Sequence, residues 1–548
     1  MKRIISTFAI LLAVITNGIA QAPVKIITGN LNGTVNWSVD TIYKLQGKVY
    51  VKAGGTLNVE AGTVIKGDKS TPGSALIVTR GAKIYAIGTP TKPIVFTSSE
   101  TPGNRVMGDW GGLVIAGNAK INVPGGIGTF EGGNLANPDG TASDGQYGGL
   151  NDFDNSGELK YVRIEYAGFA YAPNSELNSL TMGAVGNGTK ISHIQCSYGL
   201  DDAFEWFGGS VDADHLISFR GNDDDFDTDF GYSGRVQFGV CLRDTLVADA
   251  VSGAMAFESD NDGAGSANGP KTKATFSNMT LVGPRFTPTT TYDPNFRRGA
   301  HIRRNSEMSL FNSIIMGWPT GIKIDGDSCH FNADNGLLKV KNTVIAAATT
   351  NLDSAAGVTW NITPWFATTG WDNITYPDNA SLMLSNPFNY ASPDFKPAAG
   401  SPMLAGASFT DSKLTTGFTT VNYRGAFGAD DWTADWTNFR PDTSSYNYGY
   451  ITIIPASVNN YAANSLSLNV YPNPTANETS ITCSLNEAVT MTLEVIDFNG
   501  RVIYSQQQKM NKGFNAIHFS TQDFANGIYT LKLNSAAYRG VTRLNVLR

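Results

Sequence analysis

The densest group of potential metal ligands lies between residues 201 and 229. This stretch has a single basic residue, Arg220, against ten acids, which are Asp201, Asp202, Glu205, Asp212, Asp214, Asp223, Asp224, Asp225, Asp227 and Asp229. Carboxylates at such a density repel one another unless cations neutralise them. The stretch therefore predicts that either a bound metal ion or basic side chains accompany these acids.

The last part of this stretch, residues 223–230, is the strongest metal-site candidate. If it forms a strand, alternation places Asp223, Asp225, Asp227 and Asp229 on one face. Neighbouring carboxylates on that face are then about 7 Å apart, and rows of oxygen ligands suit hard cations, calcium above all. In a loop, the same residues would still present a D-x-D-x-D pattern to one ion. The pattern is not an EF-hand, because it lacks the required Gly and the final Glu.

A second acidic loop repeats the alternating pattern with Glu258, Asp260 and Asp262. These side chains are a second candidate calcium site. The alternative is that they cap turns or form ion pairs. Guanidinium groups bind carboxylates through two parallel hydrogen bonds, so a purely structural Asp–Arg ladder is also consistent with the sequence. Its basic partners would be the four arginines downstream, Arg297, Arg298, Arg303 and Arg304.

The sequence assigns no catalytic residue. Paired carboxylates would suit glycoside hydrolysis, and an arginine would suit an acidic sugar. The candidates for such roles are Asp201, Asp202, Glu205, Arg303 and Arg304. Three of the five histidines, His193, His215 and His301, lie in or beside apolar runs and are interpreted as structural. No G-x-S-x-G, P-loop or H-E-x-x-H motif occurs.

The elements that would position these residues are short runs of β-branched and aliphatic residues. Examples are Ala75–Val78, Leu159–Ile164, Ile191–Gln195 and Leu310–Met316, recurring roughly every 20 to 30 residues. Units of this kind bury their apolar faces by stacking along one axis. The pattern predicts an all-β chain whose residues 23–455 form a right-handed parallel β-helix, rather than a propeller or sandwich. Residues 361–450 are rich in Trp, Tyr, Pro and Asp and lack a clear strand pattern. They are predicted to be an irregular end cap over the last rung.

Both ends of the chain have a different character. Residues 1–22 combine Lys2 and Arg3 with an apolar run and small residues, which predicts a cleaved signal peptide. Residues 456–465 are polar and indicate a linker. Residues 466–548 contain seven short alternating strands, which predict a small immunoglobulin-like β-sandwich.

The composition favours an exported β-protein. Charged residues make up only 16% of the chain, Gly reaches 59, and the net charge is -7. The acidic balance argues against nucleic acid and anionic membranes as partners. Four separated cysteines without a C-x-x-C motif exclude a dense disulfide scaffold and a zinc ribbon. No apolar run in the expected mature protein reaches the length of a transmembrane segment.

Residues 51–67, V-K-A-G-G-T-L-N-V-E-A-G-T-V-I-K-G, resemble the opening rungs of extracellular pectin-lyase-like β-helix proteins. Residues 108–119, 201–209 and 298–305 are similar to segments of exported bacterial proteins that have no assigned activity. The resemblance implies the fold far more than the chemistry. On this fold, calcium-dependent polysaccharide lyases combine carboxylate-bound calcium with a basic residue, although no lyase motif is visible in this sequence.

The C-terminal residues resemble the type-A sorting domain of the type IX secretion system. The matching positions, in order, are Pro472, Asn473, Pro474, Asp497, Gly500, Gly527, Tyr529 and Arg548. The resemblance implies passage through the periplasm and across the outer membrane, with the type IX secretion machinery as partner. The product would be secreted or attached to the outer cell surface.

Together these features favour a calcium-stabilised binding or adhesion module for extracellular polysaccharide or a surface glycan, with calcium as the candidate cofactor. A polysaccharide lyase or glycoside hydrolase on the same scaffold is the first alternative. A purely structural surface protein is the second.

Overall fold

The computed structural model describes residues 22–130, 135–172, 175–354, 359–446, 464–466, 468–497, 501–535 and 538–548. The chain divides into two compact units, one up to residue 450 and one from residue 451. Residues 1–21 of the predicted signal peptide and residues 456–463 of the predicted linker lie outside the described residues. Within the described part, no helix is both long and apolar enough to cross a membrane.

The first unit is a parallel β-helix with three faces. The first face stacks Val24–Leu31, Ile42–Val51, Val64–Gly67, Ile94–Ser98, Gly157–Glu165, Lys190–Ser197, Ala213–Phe219, Arg235–Leu242, Thr275–Val282, Ile314–Met316, Val344–Ala346 and Ile374–Tyr376. The second face stacks the C-terminal halves of the first two of these strands on Ala75–Val78, Gly112–Ala116, Leu180–Gly183, Phe204–Phe207, Phe226–Asp229, Phe257–Ser259, Arg298–Ile302, Thr320–Ile324 and Thr350–Asp353. All of these pairings are parallel, which confirms the predicted solenoid.

The third face contains Thr34–Trp37, Thr56–Val59 and Lys83–Ile87, then the N-terminal halves of the five long strands Gly157–Glu165 to Thr275–Val282, and finally Ser309–Phe311 and Val340–Lys341. The interior is filled by apolar side chains that repeat from rung to rung. On the second face, Phe204, Phe226 and Phe257 form a continuous stack with centroid distances of 5.6 and 5.3 Å. Alternation then directs the residue after each phenylalanine outward.

The long strands bend sharply where the third face meets the first. One residue of each rung takes a left-handed conformation there, and these residues form the corner ladder of Tyr161, His193, His215, Phe238, Asn278, Asn312 and Asn342. Asn tolerates this conformation better than other L-residues because its side chain bonds locally. The last three positions also bond outward, since Asn278, Asn312 and Asn342 donate to backbone carbonyls of Tyr423, Ser408 and Gly406.

The predicted end cap has a different course. Its helix Ile362–Phe366 does cover the end of the core, with Trp365 and Phe366 buried there. Residues 380–446, called the return segment below, instead run back along the outside of the first face. The reason is that outward positions on this face, such as Ile217 and Val240, are apolar and need cover. The segment reaches back to an early rung, where Tyr446 donates to Glu165 at 2.7 Å.

The remaining elements of the first unit are short. The other α-helix is Asp327–Asp334, and the 3-10 helices are Ala142–Gly145, Ala380–Leu382, Pro402–Leu404 and Ser412–Leu414. Three small antiparallel pairs are Gly128–Thr129 with Gln146–Tyr147, Ala170–Ala172 with Ser175–Glu176, and Leu384–Asn386 with Asp394–Pro397.

The second unit contains two sheets whose pairings are antiparallel, apart from one short parallel pair. One sheet has Asn469–Tyr471, Glu478–Leu485 and Gly513–Ser520, and the other has Asn464–Ser465, Val489–Ile496, Val502–Met510, Gly527–Asn534 and Tyr538–Val546. Alternating residues such as Leu493 and Leu531 are fully buried between them. The arrangement agrees with the predicted small β-sandwich. All four cysteines of the chain, Cys196, Cys241, Cys329 and Cys483, are free and buried.

Candidate functional site

Three carboxylates stack on the outer side of the second face. Strand register places Glu205, Asp227 and Glu258 directly above one another on consecutive rungs. Rungs are about 4.8 Å apart, so neighbouring side chains of this acidic ladder are close enough to share an ion. Thr181 precedes them on the same line and His301 follows. The inward phenylalanine stack is what fixes these residues on the outer side.

A cavity of about 360 Å³ opens beside the acidic ladder. Its lining includes nine carboxylates, from Glu176, Asp201, Asp202, Glu205, Asp223, Asp224, Asp227, Asp249 and Glu258. The described lining residues include no Lys, Arg or His. The walls thus combine the acidic ladder with the turns that lead into its strands, and we call this the acidic cavity.

Two carboxylate triads within the cavity have the spacing of metal ligands. In the first, Asp201, Asp202 and Asp223 each offer one oxygen, and these three atoms lie within 4.8 Å of one another. The second triad, Asp202, Glu205 and Asp227, meets the same limit. Asp202 belongs to both, so the two triads are continuous.

Burial and mutual repulsion disfavour the charged forms of these acids. Burial, followed by the nearby charge of Asp201, raises the pKa of Asp202 well above its usual range. Burial and Glu258 do the same to the pKa of Asp227. The pKa of Asp223 rises to about 7 through burial and the charge of Asp249, and burial raises that of Glu258 to about 7. At neutral pH the cavity needs protons or a cation to balance its charge.

Some oxygens of the cavity are held by the protein and others are not. The backbone N–H of Asp224 donates to Asp202 at 2.9 Å, and the N–H of Met255 donates to Asp224 at 2.6 Å. The buried oxygens Asp223 Oδ1 and Asp227 Oδ1 accept no hydrogen bond. A buried carboxylate oxygen without a donor is costly in an otherwise satisfied site, and a cation would supply the missing partner.

Asp225 does not face the cavity. Its carboxylate accepts from Arg243 at 2.9 Å and from Ser218 at 2.5 Å, and both members of the Asp225–Arg243 ion pair are fully buried. The strand begins at Phe226, so residues 223–225 form a turn and the predicted alternation does not extend through them. The expectation that four aspartates share one face is therefore wrong. Asp229, at the end of the strand, is not among the residues lining the cavity either.

In the second acidic loop, Asp260 and Glu258 pair with arginines, and Glu258 also lines the cavity. Asp260 binds Arg303 at 2.9 Å and Arg304 at 2.7 Å, and Arg303 also contacts Glu258. Asp262 accepts from the backbone N–H groups of residues 264 and 266 and so caps a turn. In this loop the predicted alternatives of ion pairing and turn capping describe the contacts, and we call it the arginine-paired loop.

The catalytic candidates are separated by this arrangement. Asp201, Asp202 and Glu205 line the acidic cavity, whereas Arg303 and Arg304 are engaged with the loop and are not among the lining residues. Sequence reasoning missed Glu176 and Asp249 as parts of the wall. Asp224 was not among the predicted ligands either, although its spacing was a usable signal, because it follows Asp202 by 22 residues and lies at the equivalent place on the next rung. The pair Glu205 and Asp227 has the same spacing.

The sorting-domain positions lie in the second unit. Asn473 bridges to the last strand by donating to the carbonyl of Arg543 and accepting from the N–H of Asn545, while the flanking Pro472 and Pro474 are exposed. Asp497 pairs with Arg501 at 2.8 Å. Three further positions stabilise the domain end: Gly527 begins a strand, the Tyr529 hydroxyl donates to the carbonyl of Ala525, and Arg548 donates to the carbonyls of Ala476 and Thr521. Gly500 lies outside the described residues.

The family described as a pectate-lyase like beta helix domain matches residues 29–380, which is more than half of the chain. The chain belongs to this family. A secretion system C-terminal sorting domain matches residues 469–546. The protein is therefore a β-helix protein that the type IX secretion system exports to the cell surface or beyond. No curated protein matches the chain.

Proposed function

We propose that this β-helix protein is a calcium-dependent binding module for an extracellular or surface glycan. The observation that carries the proposal is the pair of buried oxygens, Asp223 Oδ1 and Asp227 Oδ1, which lack a hydrogen-bond donor and belong to residues that line the acidic cavity. Calcium takes about six to eight oxygen ligands in flexible geometry, which suits two adjoining carboxylate triads. Magnesium, which demands near-ideal octahedral geometry, fits such a set less well.

The charge balance of the cavity supports a bound cation. Without one, the raised pKa values of Asp202, Asp223 and Asp227 mean that protons must occupy part of the site at neutral pH. Calcium would displace these protons and let each carboxylate act as a ligand. Backbone amides already orient Asp202 and Asp224, so binding requires little rearrangement of those two side chains.

Binding is favoured over catalysis by the position of the arginines. A lyase needs a basic group beside the metal-bound carboxylate of its substrate. Arg303 and Arg304 are held by Asp260 and Glu258 instead. In the proposed function, Asp201, Asp202 and Glu205 serve as calcium ligands. Calcium positions that the protein leaves open would bind hydroxyl or carboxylate oxygens of the glycan.

The proposal is tested by calcium titration of the purified protein, followed by calorimetry and thermal unfolding. We expect calcium to bind and to raise the unfolding midpoint, and a chelator to reverse the rise. Asp227→Asn and Asp223→Asn should remove most of the response. Asp152→Asn, which alters a solvent-exposed pair with Lys120, is the matched control and should respond like the wild type. An unchanged midpoint in the wild type would refute calcium binding.

Glycan binding needs its own measurement. The protein is passed over immobilised polyuronate and over a neutral glucan, with calcium or with chelator. Calcium-dependent retention that Asp227→Asn abolishes supports the proposed function. Retention that is equal in chelator, or absent on both matrices and on a broad glycan array, contradicts the glycan part while leaving calcium binding to the titration.

A further inference from the structure

The corner ladder contains two consecutive histidines that the acidic cavity does not involve. His193 and His215 occupy the same place on neighbouring rungs, since register pairs Ser192 with Asp214 and Ile194 with Leu216. Both histidines are left-handed, with φ of 57° and 54°. Their imidazole rings stack at 4.2 Å between centroids with an interplanar angle of 13°.

The stacked rings direct nitrogen atoms toward one carboxylate. His215 Nδ1 is 2.6 Å from Asp214 Oδ1, and His193 Nδ1 is 4.0 Å from the same oxygen. All three donor atoms lie within 4.8 Å of one another. The Ser192 hydroxyl lies between them, 2.7 Å from His193 Nδ1 and 2.5 Å from Asp214 Oδ1. Two imidazole nitrogens and one carboxylate oxygen are a common ligand set of catalytic and accessible zinc sites.

We propose that His193, Asp214 and His215 form a transition-metal site, with zinc as the favoured ion, that is separate from the acidic cavity. Zinc bonds of about 2.0–2.2 Å place ligand atoms a little over 3 Å apart. The site reaches this spacing when the His215–Asp214 hydrogen bond lengthens slightly and the His193 ring tilts so that its Nδ1 moves closer to Asp214. The Ser192 hydroxyl, which now bonds both groups, rotates away or contributes a further oxygen.

The surroundings keep the rings in place. Trp432 of the return segment meets the His215 ring edge-on at 5.0 Å, and Trp436 meets the His193 ring at 5.8 Å. Tyr161 and Phe238 close the stack above and below, at 4.4 and 5.0 Å. This packing holds the two rings nearly parallel. Because each Nδ1 lone pair lies in its own ring plane, a shared ion requires at least one of the rings to tilt out of the stack.

The protonation state of His193 also suits a metal. The pKa of His193 depends on the burial of its ring and on three nearby titratable groups, which are His215, Asp214 and Lys160. Burial, followed by the neighbouring His215, lowers the pKa of His193 to about 4. The imidazole is then neutral at physiological pH, and neutral imidazole is the form that ligates metals.

The site has an open side. Ser192, Asp214 and His215 line a second cavity of about 530 Å³, which gives an ion a route in and room for a water or solute ligand. The acids and bases of that cavity include Asp212 and Arg235, which pair with each other. Imidazole ligands favour zinc, copper or nickel, whereas the all-carboxylate acidic cavity favours calcium, so the two sites would select different ions.

The test is titration of tag-free protein with cobalt(II), a spectroscopic substitute for zinc, followed by zinc competition. We expect one equivalent of cobalt to give visible absorption bands typical of low coordination number, and zinc to displace it. His215→Gln and Asp214→Asn should weaken binding at least tenfold. His301→Gln, which changes a buried histidine beside Asp325 elsewhere on the solenoid, should bind like the wild type.

Other outcomes decide against the site. Wild-type protein that binds no cobalt or zinc would show that the histidine stack is structural only. Binding that is equal in all variants would place the metal elsewhere. Asp227→Asn separates the two proposals, because it should abolish the calcium response and leave cobalt binding unchanged. Circular dichroism of Asp214→Asn, whose amide can keep the hydrogen bond to Ser192, confirms that lost binding does not reflect unfolding.

Discussion

The acidic cavity and the arginine-paired loop are adjacent on the solenoid and share Glu258, yet they neutralise charge differently. In the loop, Arg303 and Arg304 bind Asp260, and Asp262 caps a turn. In the cavity, the described lining residues include nine carboxylates and no basic side chain. The protein itself therefore neutralises the loop, whereas for the cavity we propose that a cation supplies the counter-charge. A high density of acids alone does not identify a site; what matters is whether the protein supplies the counter-charge.

The largest expected effect comes from removing a protein counter-charge at full burial. Arg243→Met leaves the Asp225 carboxylate buried and unpaired, since both groups have no exposed surface. We expect a loss of about 3–5 kcal/mol in the free energy of unfolding, measured by denaturant titration. Changing Asp225 to Leu in the same chain should restore much of the stability. A loss below about 1 kcal/mol for Arg243→Met would contradict the assigned role of the pair.

A smaller effect is expected in the arginine-paired loop. Arg303→Met removes charge-assisted hydrogen bonds to Asp260 and Glu258 that are partly exposed. We expect a loss of about 1–2 kcal/mol in unfolding free energy. The calcium response should persist, because the cavity ligands remain. Loss of the calcium response in this variant would mean that loop and cavity are one functional unit.

The smallest effect, but the most specific one, is the pH dependence of the cavity without calcium. Folded-state pKa values of Asp223 and Glu258 are raised to about 7, so the folded protein binds more protons than the unfolded chain between about pH 4 and pH 7. Stability from these groups is fully present below pH 4 and is lost as pH rises through 7. We expect thermal midpoints in chelator to fall over this window.

Calcium should flatten that pH dependence, because it replaces the protons as the neutralising charge. Asp227→Asn should make it shallower in chelator, because one repelling carboxylate is gone. Asp152→Asn again serves as the control. Midpoints in chelator that rise from pH 4 to pH 7 would disprove the charge balance described for the cavity, provided that the control behaves like the wild type.

The sequence was sufficient for the solenoid and less so for the site. Short runs such as Leu159–Ile164 predicted strands because their apolar residues have one stable location, the interior. The 22-residue spacing of Asp202 and Asp224 also contained the rung repeat. The turn before Phe226, which sends Asp225 inward, depends on where the strand bends. That bend is set by packing between rungs and is not encoded in the local alternation.

Two other outcomes depended on contacts far apart in sequence. Arg243 is the partner of Asp225 because register places the following rung against it, and its residue type alone gave no indication. The return segment was predicted to cap the last rung because its sequence lacks the regularly spaced apolar runs of the solenoid strands. Its course along the first face follows from apolar residues such as Ile217 and Val240, which point outward. The sequence does not show that these side chains point outward, because their direction depends on where each strand bends at the corner of the solenoid.

The return segment has a consequence for cooperativity. In an ordinary solenoid each rung contacts only its neighbours, so it can fray or fold piecewise from either end. Here Tyr446 bonds Glu165 across 281 residues, and Asn278, Asn312 and Asn342 fasten intermediate rungs to the same segment. The segment thus links rungs that are not neighbours along the solenoid axis. We therefore expect the backbone amides of these rungs to become accessible to hydrogen exchange together and not rung by rung. Folding is then completed only after the return segment is in place, so a chain truncated before residue 380 would lose stability from the rung of Glu165 to that of Asn342.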